Sequence, residues 1–397
     1  MIYRKTWAAI FRKSVAAMIA VFMILFATPY SHGNAASPAT ASVPPPRVDS
    51  PSCVVMDAVS GEVLFEKDAH VKRSPASVTK IMTLVLAFED IASGRATLTE
   101  EAVASENAWE MGGTEVWAEP GESMPLDEWL KAVAVASAND ASVILAEHLG
   151  GTEEAFVARM NQRARELGME NTTYKNPHGL DADGHETTAM DLAILSRHAV
   201  TVRHLLDYTK IYMQEFRGGK NMLTNFNKLV YLYTGCDGLK TGHTSKSGYC
   251  ISVTAQRDDS RFIVALMGGE TPDQRQNDAW RLLDWCFANF RSLRILEKDE
   301  SVGQARVLKG RIDSVGFVPE RPLAVTLTKT DKGETRRTIT LDQVIAPVKK
   351  GDVIGSMQVE VDGQVVTTVP LVAADDVARA TFVDYALKYL RAFSTGR

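Results

Sequence analysis

Residues 74–83 read SPASVTKIMT. Ser74 suits a helix N-cap, and Pro75 suits the first helical position, where its missing N–H is no loss. Behind them Ile81, Met82, Leu84, Val85 and Phe88 recur at helical spacing, which predicts a helix with a buried face. With Ser74 as the cap, Ser77 is the third helical residue. Its backbone N–H then has no partner inside the helix and sits near the positive end of the helix dipole. Lys80 falls one turn later on the same face. A hydroxyl with an amine beside it and a free N–H behind it fits a nucleophile. A lone Ser-x-x-Lys pair occurs by chance in many helices, so the rest of the chain must decide.

The chain has 397 residues, 45% hydrophobic and 23% charged, which is ordinary globular composition with room for two domains. Its first 35 residues read as a secretory signal peptide cut near Ala35 or Ala36. Arg4, Lys5, Arg12 and Lys13 form the basic region, Ser14 to Ala27 the apolar run, and small residues follow. An uncleaved anchor is the rival, but the run is short for a membrane span. The segment carries four positive and no acidic residues, so its removal takes the net charge from −5 to about −9. That balance argues against a nucleic-acid partner, which calls for a basic face. Export also places the chain where disulfides form. The four cysteines, Cys53, Cys236, Cys250 and Cys286, show no zinc-ligand spacing, and no cofactor or metal is expected. Either Cys236 and Cys250 bridge a hairpin that they flank, or all four are buried thiols.

Residues 36–50 form a proline- and alanine-rich linker. A hairpin pattern follows, CVVMD then VLFEK, ahead of the serine helix. LDEWLKAVAVA and DASVILAEHLGG read as helices, the second closed by Gly150 and Gly151. GLKTGHT, GYCISVTAQRD and RFIVALMGG read as successive antiparallel strands, and DQRQNDAWRLLDWCFANF as a returning helix. Residues 51–295 therefore form an α+β domain, an antiparallel sheet flanked by helices. Residues 296–373 are strand-like, with a hairpin signal at Asp362-Gly363. In residues 374–397, Phe382, Ala386, Tyr389 and Phe393 share one helical face, opposite Asp384, Lys388, Arg391 and Thr395.

Two further stretches answer the question of Ser77. ASAND places Ser137 and Asn139 between two helices, with Asp140 as the expected cap of the second. GLKTGHT places Lys240, Thr241 and Gly242 on a strand, followed by His243. Ser77-x-x-Lys80, Ser137-x-Asn139 and Lys240-Thr241-Gly242, in that order, resemble the motifs of the penicillin-recognising serine enzymes. Within them the chain is similar to the serine-type D-alanyl-D-alanine carboxypeptidases, the low-molecular-mass penicillin-binding proteins. The likeness extends over MDAVSGEVLFEKDAHVKRSPASVTKIMT, NPHGLDADGHETTAMDLA and DGLKTGHTSKSGYC, and to the β domain and tail.

This resemblance implies a β-lactamase/DD-peptidase-like fold that removes the terminal D-alanine of peptidoglycan pentapeptide side chains and is acylated by β-lactams. It implies Ser77 as nucleophile, Lys80 as base, Ser137 as proton carrier to the leaving amine, and Asn139 as holder of the substrate amide. Lys240, Thr241 and Arg275 would receive the terminal carboxylate. The backbone N–H groups of Ser77 and His243 would form the oxyanion hole. A neutral Lys80 needs its pKa lowered by ~3 units from ~10.4, or ~4 kcal/mol, which burial and the charge of Lys240 can supply. The family often has an arginine where this chain has Lys228, and no role is carried to that position. His178, Asp181, Asp183 and His185 match no calcium loop, and NPHGL is expected to be a structural loop beside the cleft. The tail would lie on the outer face of the cytoplasmic membrane. The alternatives are a β-lactamase, which would want Ser-Asp-Asn and a Glu-x-x-x-Asn loop, and a non-catalytic peptidoglycan-binding protein, which would not need Ser77 or Lys80.

Overall fold

The computed structural model of the chain describes residues 43–394, with side chains through Leu390. The expected signal peptide, the start of the linker, and Arg391, Phe393 and Thr395 of the tail pattern lie outside the described residues or side chains.

Five antiparallel strands form the central sheet, in the order Val63–Lys67, Ser52–Asp57, Ser260–Gly269, Gly248–Arg257, Cys236–Thr244. The inner strands are apolar on both faces because both faces are covered. Alternation sends Val54, Met56, Ile263, Ala265 and Met267 to one side, where they pack with the helices Lys80–Ala92, Asn139–Gly150 and Ala189–Ala199. Cys53, Val55, Val264 and Leu266 go to the other side, against Leu282, Leu283 and Cys286 of the helix Pro272–Asn289. The Lys240 strand is left at an edge, paired on one side alone.

The register of the last two strands corrects one expectation. Cys236 lies opposite Ala255 and Cys250 opposite Gly242, so the two cysteines do not face each other. All four cysteines are free and buried. The expected bridge fails because flanking a hairpin in sequence does not place two residues in register.

The helix Pro272–Asn289 runs directly into the strand Phe290–Leu296, which pairs with Leu323–Thr328. The chain thus enters its second part at Phe290, ahead of the composition change near Leu296. This part holds a further six-stranded sheet with its own core of Val307, Phe317, Met357, Val359, Val369 and Leu371. Asp362 (φ 49°) and Gly363 (φ 81°) make the expected tight turn between two of its strands. A buried carboxylate joins it to the first part: Asp57 accepts from Ser292 Oγ and Thr326 Oγ1, each at 2.8 Å. The last helix, Phe382–Ser394, turns Asp384 and Lys388 toward Arg311, Asp313 and the Gly310 carbonyl. Phe382, Val383, Tyr389 and Leu390 remain exposed. Among the described residues no helix is long and apolar enough to cross a membrane.

Candidate active site

The serine turn differs from the one expected. Ser74 does not cap; its hydroxyl donates to Asp181 at 2.6 Å. Ala76 adopts a left-handed conformation (φ 51°), and a short 3-10 turn, Ala76–Thr79, precedes the α-helix Lys80–Ala92. Ser77 therefore sits in a tight turn ahead of the helix, where its N–H still lacks an intrahelical partner. Two glycines make room for this turn. A Cβ on Gly242 would stand 2.7 Å from the Ser77 nitrogen, and one on Gly179 would stand 2.0 Å from the Ala76 carbonyl oxygen. The Lys240 strand on one side and the NPHGL loop on the other thus close on the serine backbone.

Lys80 is fully buried. Its Nζ donates to Asn139 Oδ1 at 2.7 Å and to the His178 carbonyl at 2.6 Å, and lies 3.1 Å from Ser77 Oγ. The Asn139 amide is oriented by its own NH2 group, which donates to the Gly112 carbonyl at 2.6 Å. Both fixed partners of Lys80 are pure acceptors. They take the two hydrogens of a neutral amine and leave its lone pair facing the serine hydroxyl. Burial, then the charge of Lys240, pushes the Lys80 amine well below its ordinary value, against a smaller opposite pull from Asp140.

Asp140 does not cap the second helix. It accepts from the N–H groups of Val116 at 3.1 Å and Ala118 at 3.0 Å, and so holds the loop that carries Gly112. Ser137 follows an irregular, wide turn at Ala132–Ala136 and is itself left-handed (φ 61°). Its hydroxyl makes no hydrogen bond among the described residues, although the side chain is nearly buried.

On the edge strand, Lys240 and Thr241 are buried, and Lys240 is paired in register with Ser252. Asn227 steadies the strand by donating to the Gly238 carbonyl at 3.2 Å. Burial, then the nearby Arg275, lowers Lys240 to about 7. Arg275 is also buried and reaches the Cys250 carbonyl at 3.4 Å, across the ladder from Gly242. Its Nε has no hydrogen-bond partner, so a buried donor is left for an anion. The His243 ring is exposed and stacks on Tyr249 at 4.1 Å. His185 bonds Thr79 Oγ1 at 2.9 Å and accepts from the Lys175 N–H at 3.0 Å, while Asp181 accepts from Ser74 and Thr244. These groups brace the serine turn.

Hydrogen bonds thus join Ser77, Lys80 and Asn139 directly, and Gly242 meets them by contact. Lys240, Thr241, His243 and Arg275 line up along or beneath the same strand. Ser137 is brought close by sequence to Asn139 but is not bonded to the others. The His178 carbonyl was not singled out from sequence, and Asp140 was expected only as a helix cap. The carbonyl is a backbone group that no residue type announces, and Asp140 had a simpler local use available.

A serine facing a buried amine, beside an edge strand with buried cations, defines an acyl-transfer site for a peptide ending in a carboxylate. Residues 38–271 match the D-alanyl-D-alanine carboxypeptidase family, and residues 290–379 match the C-terminal domain of penicillin-binding protein 5. The D-alanyl-D-alanine carboxypeptidase DacF of Bacillus subtilis is 34% identical over 342 residues, 85% of this chain and 88% of that one. Penicillin-binding protein 5 from Haemophilus influenzae superposes with a TM-score of 0.76 at 30% identity, over 85% of this chain and all of that one. Penicillin-binding protein D2 from Listeria monocytogenes in its ampicillin-bound form gives 0.57 at 28% identity, over 62% of this chain and 99% of that one. The chain belongs to the serine-type D-alanyl-D-alanine carboxypeptidases, the low-molecular-mass penicillin-binding proteins.

Proposed function

We propose that Ser77 attacks the carbonyl between the last two D-alanines of a peptidoglycan pentapeptide and passes its proton to Lys80. Ser137 relays that proton from Lys80 to the leaving D-alanine amine, taking one as it gives one. Water then resolves the acyl-ester, with the hydroxyl returned to Ser77. The Ser77 and His243 N–H groups hold the developing oxyanion, and Lys240, Thr241 and Arg275 hold the terminal carboxylate. Asn139 serves both the substrate amide and Lys80. The edge strand pairs with the peptide as an added strand. The single observation that supports this division of work is the Lys80 amine, held by two acceptors 3.1 Å from Ser77 Oγ. β-Lactams acylate the same serine. The β-lactamase reading lacks its Ser-Asp-Asn, and the non-catalytic reading leaves the buried, bonded Lys80 without a purpose.

The first 35 residues direct export, and the tail helix lies on the outer face of the cytoplasmic membrane. What supports the second statement is the division of that helix, polar residues toward the β part and apolar ones exposed. The test of the nucleophile is incubation with a fluorescent penicillin, followed by mass mapping of the labelled peptide. The label is expected on Ser77 and absent from Ser77→Ala, which should also lose D-alanine release. Labelling at Ser137 or elsewhere defeats the assignment.

A further inference from the structure

Next to Ala136, one residue before Ser137, lies a cleft that the proposed chemistry does not use. It encloses about 430 Å³, within the range of small-molecule sites (roughly 300–1,000 Å³). One wall is the loop around Trp117, and the other is the hairpin Met213–Phe216 with Asn221–Thr224 and the residues after it. Trp117 is 77% exposed, and Met222 and Phe226 are each 53% exposed, so apolar surface is left open on both walls. Tyr212 lines the cleft and is stacked on Tyr231 at 5.0 Å.

The cleft is fixed to the catalytic groups at two points. Ala136, one residue before Ser137, lines it, as does Thr114, whose carbonyl accepts from the Asn139 N–H at 2.7 Å. Its walls are also tied together: Arg217 of the hairpin turn donates to the Val116 carbonyl at 2.7 Å and pairs with Glu122 at 2.6 Å. The space is therefore built before any ligand arrives.

Position along the strand says what would enter. Gly242 meets Ser77, where the reacting carbonyl lies. Lys240 is two residues back, ~7 Å away at strand spacing. Gly238, another two back, is held by Asn227, which sits between the cleft residues Phe226 and Lys228. The order carbonyl, carboxylate, cleft runs toward the substrate's carboxyl terminus. A terminal D-alanine offers the cleft a methyl group and leaves its apolar walls wet.

We infer that this cleft receives the side chain of the substrate's last D-residue, and that the enzyme removes D-residues with large apolar side chains as well as D-alanine. The inference rests on the proposed placing of the carboxylate at Lys240. The reaction is the same hydrolysis, with a larger leaving amine.

The experiment compares two acyl-tripeptides, diacyl-L-lysyl-D-alanyl-D-alanine and diacyl-L-lysyl-D-alanyl-D-phenylalanine, on the full mature chain, with chromatographic detection of the released amino acid. D-Phenylalanine should be released with a kcat/KM within ~10-fold of that for D-alanine. The double variant Trp117→Ala, Phe226→Ala should lower the D-phenylalanine to D-alanine ratio by ~10-fold, the scale expected when an apolar pocket loses its walls. Both side chains are exposed, so their truncation opens no cavity in the core. D-Alanine release with D-phenylalanine release more than ~100-fold slower would overturn the inference while leaving the carboxypeptidase reading intact. So would a ratio that the double variant leaves unchanged, including the case where only the yield of peptide-to-peptide product changes and the occupant is an acceptor peptide. Release of neither residue would instead defeat the placing of the active site itself.

Discussion

Gly242→Ala adds one methyl group to the active site, and the structure says where it would go. The new carbon would stand 2.7 Å from the Ser77 nitrogen and 3.0 Å from both Ala76 Cβ and the Val78 nitrogen. Carbon contacts are comfortable at ~3.5–4.0 Å, so the strand and the serine turn must separate by ~0.5–1 Å. Neither side yields easily. The turn is held from behind by Gly179 against Ala76, and the strand is paired along its length with Gly248–Arg257. The movement displaces the Ser77 N–H and the serine hydroxyl from the line of the edge strand. A misplacement of ~1 Å costs ~10²-fold in rate, and loss of one oxyanion donor costs ~10²–10³-fold. Acylation by a fluorescent penicillin, followed by stopped flow, should therefore fall by ~10²–10³-fold. Overpacking should also lower stability by ~1–3 kcal/mol, read from thermal or denaturant unfolding. No positive φ is involved at Gly242, so the effect is steric and not conformational. An alanine variant that acylates within ~3-fold of the parent, at unchanged stability, would refute the idea that this contact sets the geometry of the serine turn.

Lys80→Arg keeps the charge but removes the neutral amine, and acylation should drop by ~10²-fold or more; a near-parental rate removes Lys80 from the role of base. In the parent enzyme, acid should protonate Lys80 and suppress acylation, while neutralising Lys240, at about 7 before substrate binds, should weaken capture of a free carboxylate as pH rises. The kcat/KM profile for a peptide acid should then be bell-shaped, whereas the peptide amide should lack the basic limb; identical profiles count against Lys240 as the carboxylate partner. Arg275→Ala should weaken turnover of the acid more than that of its amide or ester, and an equal loss would make Arg275 a packing residue. The mature protein should bind liposomes while a form ending at Ala374 stays in the buffer and active; identical partitioning of the two removes the anchor.

What could be read from sequence divides by the range of the interactions involved. The Ser77–Lys80 pairing was legible because three residues in a helical turn fix two side chains on one face, and the 3-10 start did not disturb that. The three last strands of the sheet were legible from their apolar runs. The caps were misread where a distant carboxylate or loop outcompeted the local choice. Ser74 bonds Asp181 and Asp140 bonds the Val116 loop, and both partners are far away in sequence. The bridge between Cys236 and Cys250 failed on register, which a one-residue irregularity near Gly238 helps to set. The hairpin Met213–Phe216 with Asn221–Thr224 is short, and half of it faces solvent, so its pattern was too weak to notice.

The two buried lysines also bear on the stability of the fold. Lys240 titrates near 7 when folded and at its ordinary value, 10.5, when unfolded. Between those limits the unfolded chain holds a proton that the folded chain has released, so folding becomes more favourable as pH rises through that window. Below about 7 both states are protonated, and the folded state bears the whole penalty of a buried ammonium, on the order of a few kcal/mol. Lys80 shifts in the same direction, through burial first and then the charge of Lys240. A loosely packed site would relieve this by letting water in, and the neutral amine would be lost with it. Neighbouring backbone and side-chain groups prevent this. The His178 carbonyl and Asn139 hold the amine, Asp140 and Gly112 hold the loop behind Asn139, and His185 holds Thr79 at the foot of the turn. These neighbours keep water from Lys80 and so hold its amine well below its ordinary range, and their hydrogen bonds offset part of the stability that its burial removes.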